Sequence, residues 1–269
     1  MKKIRIIVAL LWLSASSFAQ DSSFRLLKSF SGEIADAAMD NLDNIYILTG
    51  TDQLKKYNAA GDSIAVYNNV RKFGKVHSID VSNPLRVLLY YKDFSSIVIL
   101  DRLLNVRSSI DLRQNNLLQV GTIGLSYDNN TWVFDEYDHK LKKISDQGSV
   151  LMETPDFRVL FDHTVAPSQI IDQNNQVYIY DPANGLFVFD HYGTFKKRFP
   201  VTGWKTVTIT DKFILGVTNT HSLGAYNIAT LLESQYKFPG SFTPYYRYTI
   251  SNNKLVALSK AGVYIYRIR

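Results

Sequence analysis

The feature that most constrains this chain is a repeat of about 40 residues, each copy reading as strand, polar loop, strand and Gly-containing turn. The clearest copy is Gln176-Val177-Tyr178-Ile179-Tyr180-Asp181-Pro182-Ala183-Asn184-Gly185-Leu186-Phe187-Val188-Phe189-Asp190-His191-Tyr192-Gly193-Thr194. Alternating β-branched and aromatic residues bounded by Asp, Asn, Pro and Gly are the mark of a β-hairpin. The pattern recurs as Ile45-Tyr46-Ile47-Leu48 with Leu54-Lys55-Lys56-Tyr57, and as Thr131-Trp132-Val133-Phe134 with Leu141-Lys142-Lys143-Ile144. Weaker copies pair Val87-Leu88-Leu89 with Ile97-Val98-Ile99-Leu100, Phe213-Ile214-Leu215 with Leu223-Gly224-Ala225-Tyr226, and Leu255-Val256-Ala257-Leu258 with Val263-Tyr264-Ile265-Tyr266.

Two registers give the same period. Second strands starting at 45, 86, 131, 177, 213 and 255 are spaced by 41, 45, 46, 36 and 42 residues. Third strands starting at 54, 97, 141, 186, 223 and 263 are spaced by 43, 44, 45, 37 and 40. Such spacing is that of four-stranded propeller blades. Each hairpin also has an inner strand before it, expected at 34–39, 76–81, 122–126, 169–171, 206–209 and 246–250. The turns after these strands are rich in Asn and Asp, which tolerate positive φ.

The sixth repeat ends at Arg269 after three strands, while 24–30 (FRLLKSF) is an orphan strand ahead of the first repeat. Pairing the two ends supplies the missing strand and leaves no long bare edge. The expected fold is therefore all-β, a six-bladed β-propeller whose last blade is closed by the mature N-terminal strand. It occupies residues 20–269.

Residues 1–19 read as a signal peptide. Lys2, Lys3 and Arg5 form a basic n-region, Ile6 to Leu13 an apolar core, and Ser17 and Ala19 a small-x-small cleavage site. That core is far short of the roughly 20 residues a membrane span requires. The expectation is export to the periplasm or the extracellular space, with cleavage after Ala19. The chain has no cysteine, so a disulfide, a thiol nucleophile, a Cys-ligated metal and a lipid-modified cysteine are all excluded. Removing Lys2, Lys3 and Arg5 lowers the formal charge from +6 to +3, too mild an excess to argue for nucleic acid.

The stretch Ile179-Tyr180-Asp181 to Asn184, followed by Leu186-Phe187-Val188-Phe189 and Gly193, resembles the NHL repeat of six-bladed propellers. Val133-Phe134-Asp135 through Asp138, Leu141 and Gly148 is similar, and Ile47-Leu48 through Asp52, Leu54 and Gly61 is a poorer copy. Repeats two, five and six lack the Asp–Asn loop pair. The resemblance implies the fold and a bias towards binding, without fixing a function.

In a propeller the loops joining second to third strands, and each fourth strand to the next blade, emerge on one face. The inter-blade loops bring basic residues there, each with aromatic neighbours except in the second. They contain Arg71-Lys72-Phe73-Gly74-Lys75, Arg113, Phe157-Arg158, Gly203-Trp204-Lys205 and Tyr245-Tyr246-Arg247. Positive charge over a concave face attracts anions, and flat aromatics offer stacking platforms. The candidate ligand-binding set is Arg71, Lys75, Tyr91, Tyr137, Trp204, Tyr245 and Arg247. The competing reading makes the aromatics wedges between blades, and for Trp204 and Tyr245, which flank Gly and Pro, the two stay open.

For chemistry, Asp135, Glu136, Asp138 and His139 form the densest acid–His cluster, with Asp93, Asp181 and His221 on equivalent loops. A hydrogen-bonded loop accounts for the cluster more simply than a metal does. A divalent cation such as calcium at the channel mouth, held by Glu33, Asn219 and Asp181, is the alternative, as in six-bladed lactonase-type enzymes. No nucleophile elbow or Gly-rich phosphate loop is present. The sequence thus points to an exported, monomeric, non-catalytic module that binds a protein, peptide or glycan and has no cofactor. The alternative is a metal-dependent hydrolase or lyase working at the channel mouth.

Overall fold

The structure, a computed structural model, describes residues 24–68 and 70–268, with backbone only at residues 70 and 71. The expected signal peptide and its cleavage site lie outside the described residues.

A single strand, β1 (Phe24–Ser31), precedes blade 1, which consists of β2 (Ile34–Met39), β3 (Ile45–Thr49), β4 (Leu54–Tyr57) and β5 (Ser63–Tyr67). A one-turn helix, α1 (Val70–Phe73), leads into blade 2: β6 (Ser78–Asn83), β7 (Arg86–Tyr91), β8 (Ser96–Leu100) and β9 (Val106–Asp111). Blade 3 is β10 (Val120–Leu125), β11 (Thr131–Asp135), β12 (Lys140–Ile144) and β13 (Val150–Glu153), followed by α2 (Phe157–Phe161). Blade 4 is β14 (Gln169–Gln173), β15 (Gln176–Asp181), β16 (Gly185–Phe189) and β17 (Phe195–Phe199). Blade 5 is β18 (Trp204–Ile209), β19 (Phe213–Thr218), β20 (Ser222–Asn227) and β21 (Glu233–Lys237). The last blade takes β22 (Arg247–Ser251), β23 (Lys254–Ser259) and β24 (Gly262–Ile268).

Its fourth strand is β1. The sheet order is β1-β24-β23-β22, with antiparallel pairing running from Phe24 opposite Ile268 to Ser31 opposite Gly262. The six blades each have four strands, the fold read from the repeat.

The core lies between blades rather than within them. Tyr46 and Leu54 of blade 1 pack with Val87, Leu89 and Val98 of blade 2, and Tyr178 and Leu186 of blade 4 pack with Trp204 and Ile214 of blade 5. Period-2 alternation explains this, since each face of a middle strand meets a neighbouring blade. Outermost strands such as β17 and β21 are mostly exposed.

Polar side chains then tie neighbouring inner strands together. Asp80 Oδ2 accepts from Leu125 N at 2.7 Å, Gln169 Oε1 from Val207 N at 2.8 Å, and Thr208 Oγ1 donates to Ile250 O at 2.8 Å. Asp172, its side chain 1% exposed, accepts from Ser126 Oγ, Tyr127 N and Trp132 Nε1 across the blade 3–4 boundary. His191 Nε2 lies 2.9 Å from its other oxygen, and the His191 ring stacks on Tyr127. Arg247 and Asp36, 3.3 Å apart, join blade 6 to blade 1. These bonds satisfy polar groups that would otherwise be costly to bury, and they fix the blade-to-blade register.

Candidate functional site

Antiparallel pairing places the second-to-third and inter-blade loops on one face, around a central channel. That channel has a volume of about 1210 Å³ and is walled by the six inner strands. At the loop-face end its lining includes Asp36, Ser78, Gln169, Lys205 and Arg247. Asp80, Asp172, Asp211 and Asn252 line the other end. Lys205 and Arg247 thus stand at the loop-face mouth, where Asp36 pairs with Arg247, and the lining of the other mouth carries carboxylates without a cation.

The seven predicted binding residues divide. Tyr137 stands 69% exposed at the tip of the blade 3 loop, and Lys75 is exposed ahead of β6. Arg247, its side chain 52% exposed, lies at the channel mouth. Arg71 falls in α1, and its side chain lies outside the described residues.

The other three are corrected. Trp204, Tyr91 and Tyr245 are only 2%, 1% and 6% exposed, so none offers a stacking platform. Trp204 opens β18, where its N–H donates to Tyr180 Oη at 2.9 Å and its C=O accepts from the same hydroxyl at 2.8 Å. Its indole is held in the blade 4–5 core. Tyr91 ends β7 and faces inward against Phe73, 5.2 Å between ring centroids. Tyr245 packs against Phe242 and Tyr264, and its hydroxyl lies 2.6 Å from that of Tyr266. Phe73 and Phe242 are likewise buried. Trp204, Phe73, Phe242 and Tyr245 thus seal the gaps between blades.

Exposed apolar side chains do remain on the loop face. Phe94, Leu118, Val159 and Tyr246 join Tyr137 there. Lys92 reaches Glu136 at 3.7 Å, and Gln119 Nε2 also donates to Glu136. His77 sits in the field of Lys92 and Arg247; partial burial and then Lys92 lower its pKa. Asp36 is shifted the other way, since burial raises its pKa against the opposing pull of Arg247.

Blade 5 holds an arrangement that the sequence pattern alone does not assemble. Lys205 Nζ lies 3.2 Å from His221 Nε2, and both residues are exposed. The positional signal was available: Lys205 is near the start of an inner strand and His221 is in the second-to-third loop of the same blade, two places that converge on the mouth.

The two aspartates of the acid–His cluster are satisfied internally, whereas the buried His139 Nδ1 has no hydrogen-bond partner among the described residues. Asp135 is buried and accepts from Lys142 Nζ at 2.8 Å and from Tyr137 N at 3.0 Å, and Lys142 also pairs with Asp138. Asp181, one of the three axial candidates, is buried in its own loop, accepting from Ala166 N, Ala183 N and Asn184. Glu33 lies against Gly50, over blade 1. Carboxylates already committed to an ammonium or to backbone N–H groups make a poor donor set for a divalent cation. Among the described residues, no group of three or more His, Cys, Asp or Glu side chains is placed to hold one.

No family model matches the chain, and no curated protein matches it in sequence. Solved structures do. The chain is similar to a streptogramin B lyase at 15% identity, covering 87% of this chain and 78% of that one, with a TM-score of 0.60. It is also similar to virginiamycin B lyase from Staphylococcus aureus, at 12% identity over 91% of this chain and 100% of that one, TM-score 0.61. A catalytically inactive variant of the latter, with quinupristin, gives the same values. At such identities the likeness is one of fold.

Proposed function

We propose that this protein is an exported, non-catalytic binding module whose loop face holds a protein or peptide partner, and that it acts as a monomer. The observation that carries this reading is the composition of that face. Phe94, Leu118, Tyr137, Val159 and Tyr246 stand exposed among Lys75, Lys92 and Arg247, around the mouth of a channel. Exposed aromatic and aliphatic anchors with charged neighbours are what a protein interface uses.

The opposite face also shows apolar tips, among them Leu42, Leu85, Leu103 and Tyr192. Each of these sits in a tight turn, its N–H held by an Asp or Asn two residues earlier. Turn geometry accounts for their exposure, as it does for that of Tyr137, whose N–H is held by Asp135 in the same way, so the contrast between the faces rests on Phe94, Leu118, Val159 and Tyr246. The NHL-like stretch 179–193 agrees with a binding role. The hydrolase or lyase alternative has no comparable support, because Asp135, Asp138 and Asp181 are committed to internal bonds.

The test is site-specific photo-crosslinking in the producing cells. A crosslinker at Tyr137 should give a discrete adduct that one at Tyr192, on the opposite face, does not. Equal labelling at both positions, or none at either, would overturn the reading. Export is checked separately by mass spectrometry, which should find Gln20 as the mature N-terminus.

A further inference from the structure

Charge on the loop face is segregated. The loops of blades 5 and 6 on this face, residues 200–205, 218–222, 238–247 and 259–262, contain no Asp or Glu. They carry Lys205, His221, Arg247 and Lys260, with Lys237 at the adjoining end of β21. The corresponding loops of the first four blades hold Glu33, Asp52, Asp93, Glu136, Asp138, Asp156, Asp162 and Asp181, with Glu33 in the connection from β1 of blade 6 to β2 of blade 1.

Within this acid-free sector the cations converge. Lys205 and Arg247 both line the channel mouth, on adjacent inner strands. Lys205 has no carboxylate partner among the described residues, and its polar neighbour is His221 Nε2 at 3.2 Å. Among the described residues, the acid bonded to Arg247 is Asp36 of blade 1. An ammonium beside an imidazole, with no counter-charge and free access to solvent, leaves a positive potential that an incoming anion lowers.

We propose that this blade 5–6 sector binds the carboxylates of an acidic peptide segment. Lys205 and His221 take one carboxylate and Arg247 takes another. A peptide fits better than a compact anion for two reasons. The cations are spread along the mouth over two blades, and exposed Tyr246 beside Arg247 gives apolar contact between charged positions. Thr206 on the channel wall adds a hydroxyl that can bond a peptide backbone.

This inference rests on the loop-face reading above, and it is tested in solution without the natural partner. A fluorescein-labelled oligo-glutamate peptide is titrated with the purified protein and followed by anisotropy. Binding is expected at low ionic strength, weakening as salt is raised. Lys205→Gln, and separately Arg247→Gln, should each weaken it about five-fold, the scale of one rim charge. Lys212→Gln on the opposite face should leave it unchanged. Melting curves of each variant identify any loss that reflects unfolding, and Lys205, exposed and without an acid partner, is the substitution least exposed to that problem.

No binding of the oligo-glutamate, equal effects of Lys205→Gln and Lys212→Gln, or displacement by millimolar inorganic phosphate would each overturn the proposal. If the peptide fails while the Tyr137 crosslink persists, only the acidic-peptide inference is lost. Loss of both removes the loop-face reading as well.

Discussion

The indole of Trp204 lies flat against Gly224, so close that a Cβ added to the glycine would meet the ring at 2.5 Å. Gly216, paired with Gly224 across the strands, lies under the same ring. The glycine pair makes the bed on which a large aromatic packs between blades 4 and 5. Gly224→Ala should therefore destabilise the protein by about 1–3 kcal/mol through overpacking. Trp204→Ala should cost about 3–5 kcal/mol, the usual cost of truncating a buried Trp. Combining Gly224→Ala with Trp204→Leu should recover part of the single-mutant losses, giving a favourable coupling in a double-mutant cycle. Strict additivity would show that the contact is not what sets the glycine. At Gly216 no such rescue is expected, because a Cβ there also meets Thr206 O of the backbone at 2.2 Å.

Asp172 is the most heavily bonded carboxylate at a blade boundary. Replacing it with Ala leaves Trp132 Nε1, Tyr127 N and Ser126 Oγ without their shared acceptor and His191 without its partner. The expected loss is about 3–5 kcal/mol in chemical denaturation, the scale of a broken buried charge interaction. Asp172→Asn, which keeps an acceptor oxygen, should lose less.

Removing residues 24–30 should strip β24 of its partner strand. Phe24, packed at 5.4 Å on Phe238 and 5.2 Å on Phe242, and Phe30, packed at 4.8 Å on Tyr57, leave with it. Each large apolar side chain withdrawn is worth about 1.5–3 kcal/mol. The melting temperature should fall steeply. An unchanged value would mean that β1 contributes nothing to closure.

Acid sensitivity should be traceable to Asp128. Partial burial opposes its ionisation, but hydrogen bonds from Lys143, Ser126 and Asn130 prevail and hold its pKa at about 2. A carboxylate whose folded pKa is depressed contributes stability above its unfolded pKa, near 3.9, and loses it as the pH falls through the folded value. Asp128→Asn should then be less stable than wild type at pH 7 by up to about 1 kcal/mol. The gap should close between about pH 4 and pH 2. A gap that stayed constant across that range would assign the effect to packing.

The strands were legible in the sequence almost to the residue, since alternation and turn chemistry are local. β2 was expected at 34–39 and runs Ile34–Met39, and β7 and β11 begin at Arg86 and Thr131, as the repeat required. β6 starts at Ser78 rather than 76, after His77 N has already bonded Tyr90 O. The one-turn helix α2 was missed, although Asp156 ahead of it, accepting from Arg158 N, is an N-cap signal that the loop assignment passed over. The binding face was less legible. Whether Trp204 meets solvent depends on Gly216 and Gly224 on the next two strands of its own blade and on the Tyr180 hydroxyl from the preceding blade. Position in a loop places a side chain on a face of the ring, whereas burial is decided by what the neighbouring blade presents. Charge segregation over blades 5 and 6 was readable by counting Asp and Glu loop by loop, and convergence on the channel mouth needed the ring.

β1 and β24 stand far apart along the described chain, Ser31 lying opposite Gly262, and β1 can close the ring only once β24 is there to pair with it. Until then blade 6 has three strands and β24 presents a bare edge, the kind of template to which other chains add. Closing so long a loop is entropically expensive, and contacts of such sequence separation form slowly. A chain in which this pairing has not formed is an open, five-and-three-quarter-bladed arc, and that arc, unlike the closed ring, offers other chains a bare edge.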